Sequence, residues 1–189
     1  MLLLRVDEKY PESLVLFYDH DKSNDLVDFR ICQPVEGDVI ALFTGKPKAN
    51  IQKLKKTDFI ESDGPLLISQ AMGEVIKKHA AQIELFSAEI RIGTEIITGY
   101  CVLNILKQKP CIDLSRSDYR PTIEGMPEYG LRFHHLHSLS DTDLASDGIV
   151  RASESHGEIF VSTALGDALT HAQLSGFSLI DASAGVNVY

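Results

Sequence analysis

The chain has no tryptophan, and its eight phenylalanines and six tyrosines are scattered through 189 residues. Platforms that hold single-stranded nucleic acid combine a basic groove with stacked aromatics, so this composition argues against one. Cysteine is scarce. Cys32, Cys101 and Cys111 are odd in number and form no Cys-x-x-Cys pair, which excludes a disulfide framework and reads as the reduced thiols of a cytosolic protein. No apolar run is long enough to span a membrane, and Met1-Leu2-Leu3-Leu4 gives way at once to charges, too short for a signal peptide. There is no Gly-Lys-Ser or Gly-Lys-Thr and no Gly-x-Gly-x-x-Gly, so neither a P-loop nor a dinucleotide fingerprint is present. Basic residues are missing from one region above all. Residues 121–189 hold nine acids against Arg132 and Arg151 alone, and so carry −7 of the formal net charge of −9. A nucleic-acid or anionic-membrane surface is excluded there, whereas a basic protein would be attracted.

What is present reads as an α+β domain over residues 1–189, mostly antiparallel sheet with a few short helices. Ser13–His20 and Asp38–Thr44 are rich in branched and aromatic residues and predict N-terminal strands within residues 1–45, with a turn at Val35–Asp38. Gly45–Lys56 has five lysines and no acid and predicts a solvated loop and short helix. Ile83–Ile92 and Glu95–Leu106 flank Gly93-Thr94 at a spacing that predicts a hairpin. Ser115–Gly130, with two prolines and two glycines, reads as loop; Leu131–Leu139 reads as a strand, and Ser140–Gly148 as an acidic loop.

One unit occurs twice. "GPLLISQAMGEVIKKH" (Gly64–His79) and "GEIFVSTALGDALTHA" (Gly157–Ala172) align at Ser69 and Ser162, and Gly73 matches Gly166. In each, a short apolar run ends at the serine. A helical stripe follows, through Ala71, Met72, Val75, Ile76 and Ala80 or through Ala164, Leu165, Ala168, Leu169 and Ala172. A further strand should follow each helix. A serine at a strand-to-helix turn is either a nucleophile or a cap. A nucleophile elbow needs Gly-x-Ser-x-Gly, and Leu67-Ile-Ser-Gln-Ala71 and Phe160-Val-Ser-Thr-Ala164 lack those glycines. Both serines therefore read as helix caps. The glycines inside the helices suggest close packing on a sheet.

Catalytic candidates are few. On a strand, His135 and His137 share a face with Phe133 while His134 points away. Two histidines at that spacing can ligate one metal, with Asp141 or Asp143 as a carboxylate ligand, which defines the alternative of a metal-dependent hydrolase. No third ligand stands at a motif spacing and there is no His-Glu-x-x-His. Asp113 and Asp118 read as turn or cap residues. No metal or cofactor is assigned. The run Asp141–Glu158 holds Asp141, Asp143, Asp147, Glu154, His156 and Glu158 against one base, Arg151. Read as loop, it is the partner-binding candidate.

Three stretches, in order, resemble the immunity protein 11 family of bacterial polymorphic toxin systems. They are Gly64–His79, with its proline, apolar run, serine and helix; Tyr100–Tyr119, "YCVLNILKQKPCIDLSRSDY"; and Gly157–Asp181, with Phe-Val-Ser, a helix and a Leu-x-Gly-Phe turn into a last strand. Together they span residues 64–181. The histidine strand is no feature of that family. The resemblance implies a cytoplasmic binding protein, not an enzyme, that neutralises a co-encoded toxin domain; nucleases are common among such toxins. It carries over no catalytic residue.

Overall fold

The computed structural model describes residues 1–188, and of Pro127, Glu128 and Tyr129 the backbone alone. The fold is α+β. In chain order it runs β1 (Leu2–Val6), β2 (Leu16–Tyr18), β3 (Leu42–Gly45), α1 (Ile51–Leu54), β4 (Phe59–Ile60), β5 (Leu67–Ser69), α2 (Gln70–His79), β6 (Ile83–Ile92), β7 (Glu95–Ile105), β8 (Gln108–Lys109), β9 (Asp118–Ile123), β10 (Met126–Leu136), β11 (Ile149–Ala152), β12 (Ser155–Val161), α3 (Thr163–His171), β13 (Phe177–Ile180) and β14 (Val186–Asn187). Three sheets form, with strand orders β2-β3-β6-β7-β5-β4, β13-β1-β12-β11-β8 and β14-β10-β9. Pairing is antiparallel except for β3 with β6 and β8 with β11. Among the described residues, no helix is long and apolar enough to cross a membrane.

The duplicated unit is a duplicated piece of architecture. β5 and β6 both run antiparallel to β7, which lies between them, and α2 joins them. β12 and β13 both run antiparallel to β1, which lies between them, and α3 joins them. Each half is a split β-α-β unit. The middle strand of the first half follows by a hairpin turn at Gly93-Thr94, as the spacing predicts. That of the second half comes from the N-terminus of the chain. The correspondence reaches single residues. A Cβ placed on Gly73 would stand 3.1 Å from Leu85 of β6 and 3.3 Å from Cys101 of β7; one on Gly166 would stand 2.8 Å from Leu2 of β1 and 3.3 Å from Leu179 of β13. By register, Leu2 occupies the place of Cys101, and Leu179 that of Leu85.

The halves meet through their helices. One buried cluster takes Met72 and Ile76 from α2, Leu165 and Leu169 from α3, Ile68, Leu103 and Ile105 from the six-stranded sheet, and Leu4, Ile149, Ile159 and Val161 from the five-stranded one. Backbone contacts lock this junction. The N–H groups of Asp58 and Phe59 donate to the Ser175 carbonyl at 3.1 and 3.0 Å, and Ser175 N–H donates to Asp58 Oδ2 at 2.9 Å. Gly176, at φ +90°, lies against the Phe59 carbonyl, and Gly148, at φ +72°, against that of His79. Neither site has room for a Cβ, and neither φ suits a residue that carries one. The other face of each sheet is covered independently. An isolated bridge from Leu16 to Ser62 curls the six-stranded sheet into a ring around Phe29, Phe43, Leu67 and Val102. The five-stranded sheet packs Leu3, Val150 and Phe160 against Phe133 and Leu136 of β10.

Two stretches expected as loop are strand. Residues 115–130 contribute β9 and the start of β10; Pro121 is tolerated because β9 is an edge strand. Within Asp141–Glu158, β11 and β12 begin at Ile149 and Ser155. β11 is buried on both faces, so it lacks the alternation that marks a half-exposed strand. In the N-terminal 45 residues, the two expected strands shrink to three and four residues, separated by a long excursion with a 3-10 turn at Leu26–Phe29.

Ser69 and Ser162 are caps with nearly the same backbone angles. Ser69 Oγ accepts from Met72 N–H at 3.1 Å and Ser162 Oγ from Leu165 N–H at 3.2 Å. Ser69 Oγ also donates to Asp58 Oδ1 at 2.6 Å. Ser162→Ala should lower stability by about 1 kcal/mol. Ser69→Ala should lower it by about 2 kcal/mol, because Asp58 loses a partner as well. Chemical denaturation of both variants tests the order; equal losses would deny the Asp58 link a role.

Candidate partner-binding surface

The structure divides the six residues of the acidic run. Asp141 and Asp143 are exposed. Asp147 pairs with the Lys109 ammonium, which also donates to the Asp143 carbonyl at 2.9 Å. Glu154 accepts from the backbone N–H groups of Cys111 and Ile112 at 3.2 and 3.4 Å. The His156 carbonyl accepts from Arg151 at 2.6 Å. Glu158 is 7% exposed. The expectation that these side chains project freely from a loop therefore fails for Asp147, held by Lys109, for Glu154, held by the Cys111 and Ile112 amides, and for Glu158, which strand β12 buries.

Glu158 is the most unusual of them. Its nearest cation is Arg5, whose Nε stands 3.9 Å from its Oε2. Burial pushes the carboxyl pKa up and Arg5 only partly opposes this. Arg5 also donates to the Val188 carbonyl at 3.1 Å. It lines a cleft of about 650 Å³ with Asp7, Tyr10, Phe59, Glu61 and Ile159. The cleft opens where β1 and β12 stop pairing, beyond Leu4 and Ile159. Tyr10, in its wall, is pushed to about 12, chiefly by burial.

His135 and His137 share a face, as the strand reading expects, with ring centroids 4.9 Å apart. Gly185 fits between the two rings. His135 Nδ1 lies 2.9 Å from Asn187 Oδ1, and the backbone N–H of His137 donates to Ser117 Oγ at 2.9 Å. The His135 ring thus ties the C-terminal strand to β10, and the His137 backbone ties the segment that leads into β9. Among the described residues, no three His, Cys, Asp or Glu side chains gather as a metal site, so neither Asp141 nor Asp143 completes one with the two histidines.

A surface that sequence reading passes over lies between β2 and β3. Residues 19–38 hold Asp19, Asp21, Asp25, Asp28, Glu36 and Asp38 against Lys22 and Arg30. This excursion is pinned at several points. Asn24 N–H donates to the Ile40 carbonyl at 3.0 Å and Ile40 N–H to Asn24 Oδ1 at 2.8 Å, closing its base. Asp25 caps the 3-10 turn through Val27 N–H at 2.9 Å. Phe29 is fully buried, its ring 6.1 Å from that of Phe86. Asn104 Nδ2 donates to the Gln33 carbonyl at 2.8 Å. At Val35–Asp38, where a turn is expected, the chain makes only a bend, with Gly37 at φ +80°.

The deepest anchor comes from the other half of the molecule. Arg151 of β11 is 3% exposed and donates from Nη2 to the Phe29 carbonyl at 3.0 Å. No carboxylate among the described residues forms an ion pair with it. Burial lowers the Arg151 pKa to about 10, which leaves it cationic at neutral pH. A buried cation without an acid is held by oriented carbonyl dipoles instead. Its signal in the sequence is a lone arginine inside an apolar strand, Ile-Val-Arg-Ala.

The chain matches no family model and no curated protein.

Two predictions follow from these buried charges. Arg151→Ala removes the donors for the buried Phe29 carbonyl and the part-buried His156 carbonyl and should destabilise the fold by about 3 kcal/mol. It should also speed amide exchange in residues 26–33 more than in α2 or α3. Uniform exchange changes would show that Arg151 does not hold the excursion. For Glu158, the folded-state pKa lies above the unfolded one, so ionisation opposes folding and wild-type stability falls as pH rises through the folded value. Glu158→Gln should melt above wild type at about pH 8, and the gap should close by about pH 4. A gap independent of pH would assign the effect to packing.

Proposed function

We propose that the protein is a cytoplasmic inhibitor that binds and neutralises a basic toxin domain encoded beside it. The observation that carries this reading is the acid surplus, −9 over the chain, part of it displayed on a pinned excursion that also exposes large apolar side chains. A rigid acidic surface raises the encounter rate with a basic protein and discriminates against acidic ones. The family-like segments fit the same reading in a specific way: they supply both strand–cap–helix elements, β5–α2 and β12–α3, of the two β-α-β halves, and so serve as scaffold for recognition on the loops between strands.

The second reading, a metal-dependent hydrolase on His135 and His137, has in its favour the proximity of the two rings. One set of experiments separates the two. Expressing the C-terminal domain of the polypeptide encoded next to this gene should arrest growth, and co-expressing this chain should restore it through a one-to-one complex. Absence of both rescue and complex overturns the inhibitor reading. Stoichiometric zinc or manganese in the purified chain, lost in the His135→Ala/His137→Ala double variant, would favour the enzyme.

A further inference from the structure

Large apolar side chains are seldom exposed in groups on a soluble domain unless something covers them. Val27 (55%), Ile31 (43%) and Ile40 (52%) are exposed on the excursion between β2 and β3. Ile31 N–H bonds to the Val27 carbonyl at 3.2 Å, which places the two one turn apart, and the Asn24–Ile40 bonds bring Ile40 to the foot of the same turn. Asp21, Asp25, Glu36 and Asp38 stand on the same excursion and are themselves exposed. Among the described residues, Asp21, Glu36 and Asp38 make no side-chain hydrogen bond or ion pair. An apolar centre with a charged, water-accessible rim is the anatomy of a protein interface.

We propose that this excursion, residues 19–40, is the face on which a basic partner domain docks, with Val27, Ile31 and Ile40 at its centre and Asp21, Asp25, Glu36 and Asp38 on its rim. The proposal rests on the inhibitor reading and names its surface. Charge favours this face over another group of exposed apolar residues, Tyr119, Ile123 and Met126 on the β9–β10 hairpin. Residues 19–38 hold six acids against two bases, whereas residues 116–132 hold Asp118, Glu124 and Glu128 against Arg116, Arg120 and Arg132 and so offer no net charge to draw a basic domain. Preorganisation adds to the argument. Arg151, Asn104 and the Asn24–Ile40 pair fix the excursion before any partner arrives, so little ordering entropy is lost on binding.

The test uses the full chain and the neighbour-encoded toxin domain, inactivated by substitution. Three variants are compared after thermal melts confirm that each is folded: Asp21→Asn/Glu36→Gln/Asp38→Asn, Val27→Ser/Ile31→Ser, and the control Glu74→Gln/Glu95→Gln, whose acids are exposed elsewhere. At low salt the first should associate about ten-fold more slowly than wild type, with the difference shrinking at about 0.5 M salt. The second should dissociate at least about ten-fold faster, and the control should match wild type. Amide protection in the complex should centre on residues 24–40. Wild-type kinetics in the first two variants, or protection on the β9–β10 hairpin or on residues 141–147, overturns the proposed face and leaves the inhibitor reading standing. No binding by wild type, with no rescue of growth, overturns both.

Discussion

The apolar junction between the two β-α-β halves is the constraint on which the rest of the molecule depends. Neither α2 nor α3 could bury its apolar stripe on its own sheet alone; each completes the cover of the other in one cluster with Ile68, Leu103, Ile159 and Val161. Burying one such side chain is worth roughly 1.5–3 kcal/mol relative to leaving it exposed, against about 1 kcal/mol net for a hydrogen bond. The cluster therefore sets the energy scale, and the polar contacts around it fix geometry. Asp58 illustrates the division. One carboxylate oxygen takes the Ser69 hydroxyl and the other takes the Ser175 N–H, so the cap of the first half and the end of the second are held by a single side chain. Gly148 and Gly176 let the two backbones come close enough for that to happen.

With the helices committed to each other, the outer faces of the two sheets are left to different uses. The six-stranded sheet closes into a ring, which removes its free edges as sites of unwanted pairing. It also lets the chain between β2 and β3 leave the ring, fold over Phe29 and return. The five-stranded sheet is capped by β10 and its neighbours, and there His135, His137 and Gly185 serve to join strands. A duplicated core with unlike outer layers gives a rigid frame that presents one polar, acidic excursion.

Local chemistry was legible in the sequence and non-local pairing was not. The caps at Ser69 and Ser162, both helices and the Gly93-Thr94 hairpin depend on neighbours within a few residues. The place of β1 does not. Leu3 pairs with Phe160 and with Ile180, and nothing in "LLLRV" names those partners. Glu154 looked like a free loop acid because the N–H groups it accepts from, those of Cys111 and Ile112, are supplied by a distant segment. The histidine pair was placed on one face by its spacing alone, but its role depends on Gly185 and Asn187 arriving from the C-terminus.

The acidic surface was misplaced for a related reason. Summing charge by thirds of the chain puts the surplus at residues 121–189, where Glu158 is in fact buried and Asp147 is neutralised by Lys109. The first 120 residues are nearly balanced because the lysines of Gly45–Lys56 offset the acids of residues 19–38. Those lysines lie around α1, on a separate segment of the chain. What a partner meets is local potential, not a running sum. Arg151 closes the argument. In the sequence it is the one base diluting an acidic run; in the fold it points inward, with its charge spent on the carbonyls of Phe29 and His156. A buried cation of this kind contributes little net stability compared with an apolar side chain of the same size. What it does contribute is position, since it ties the carbonyl of the excursion's one buried phenylalanine to the opposite half of the molecule. The residue that seemed to weaken an acidic surface at Asp141–Glu158 is the one that holds another in place at residues 19–40.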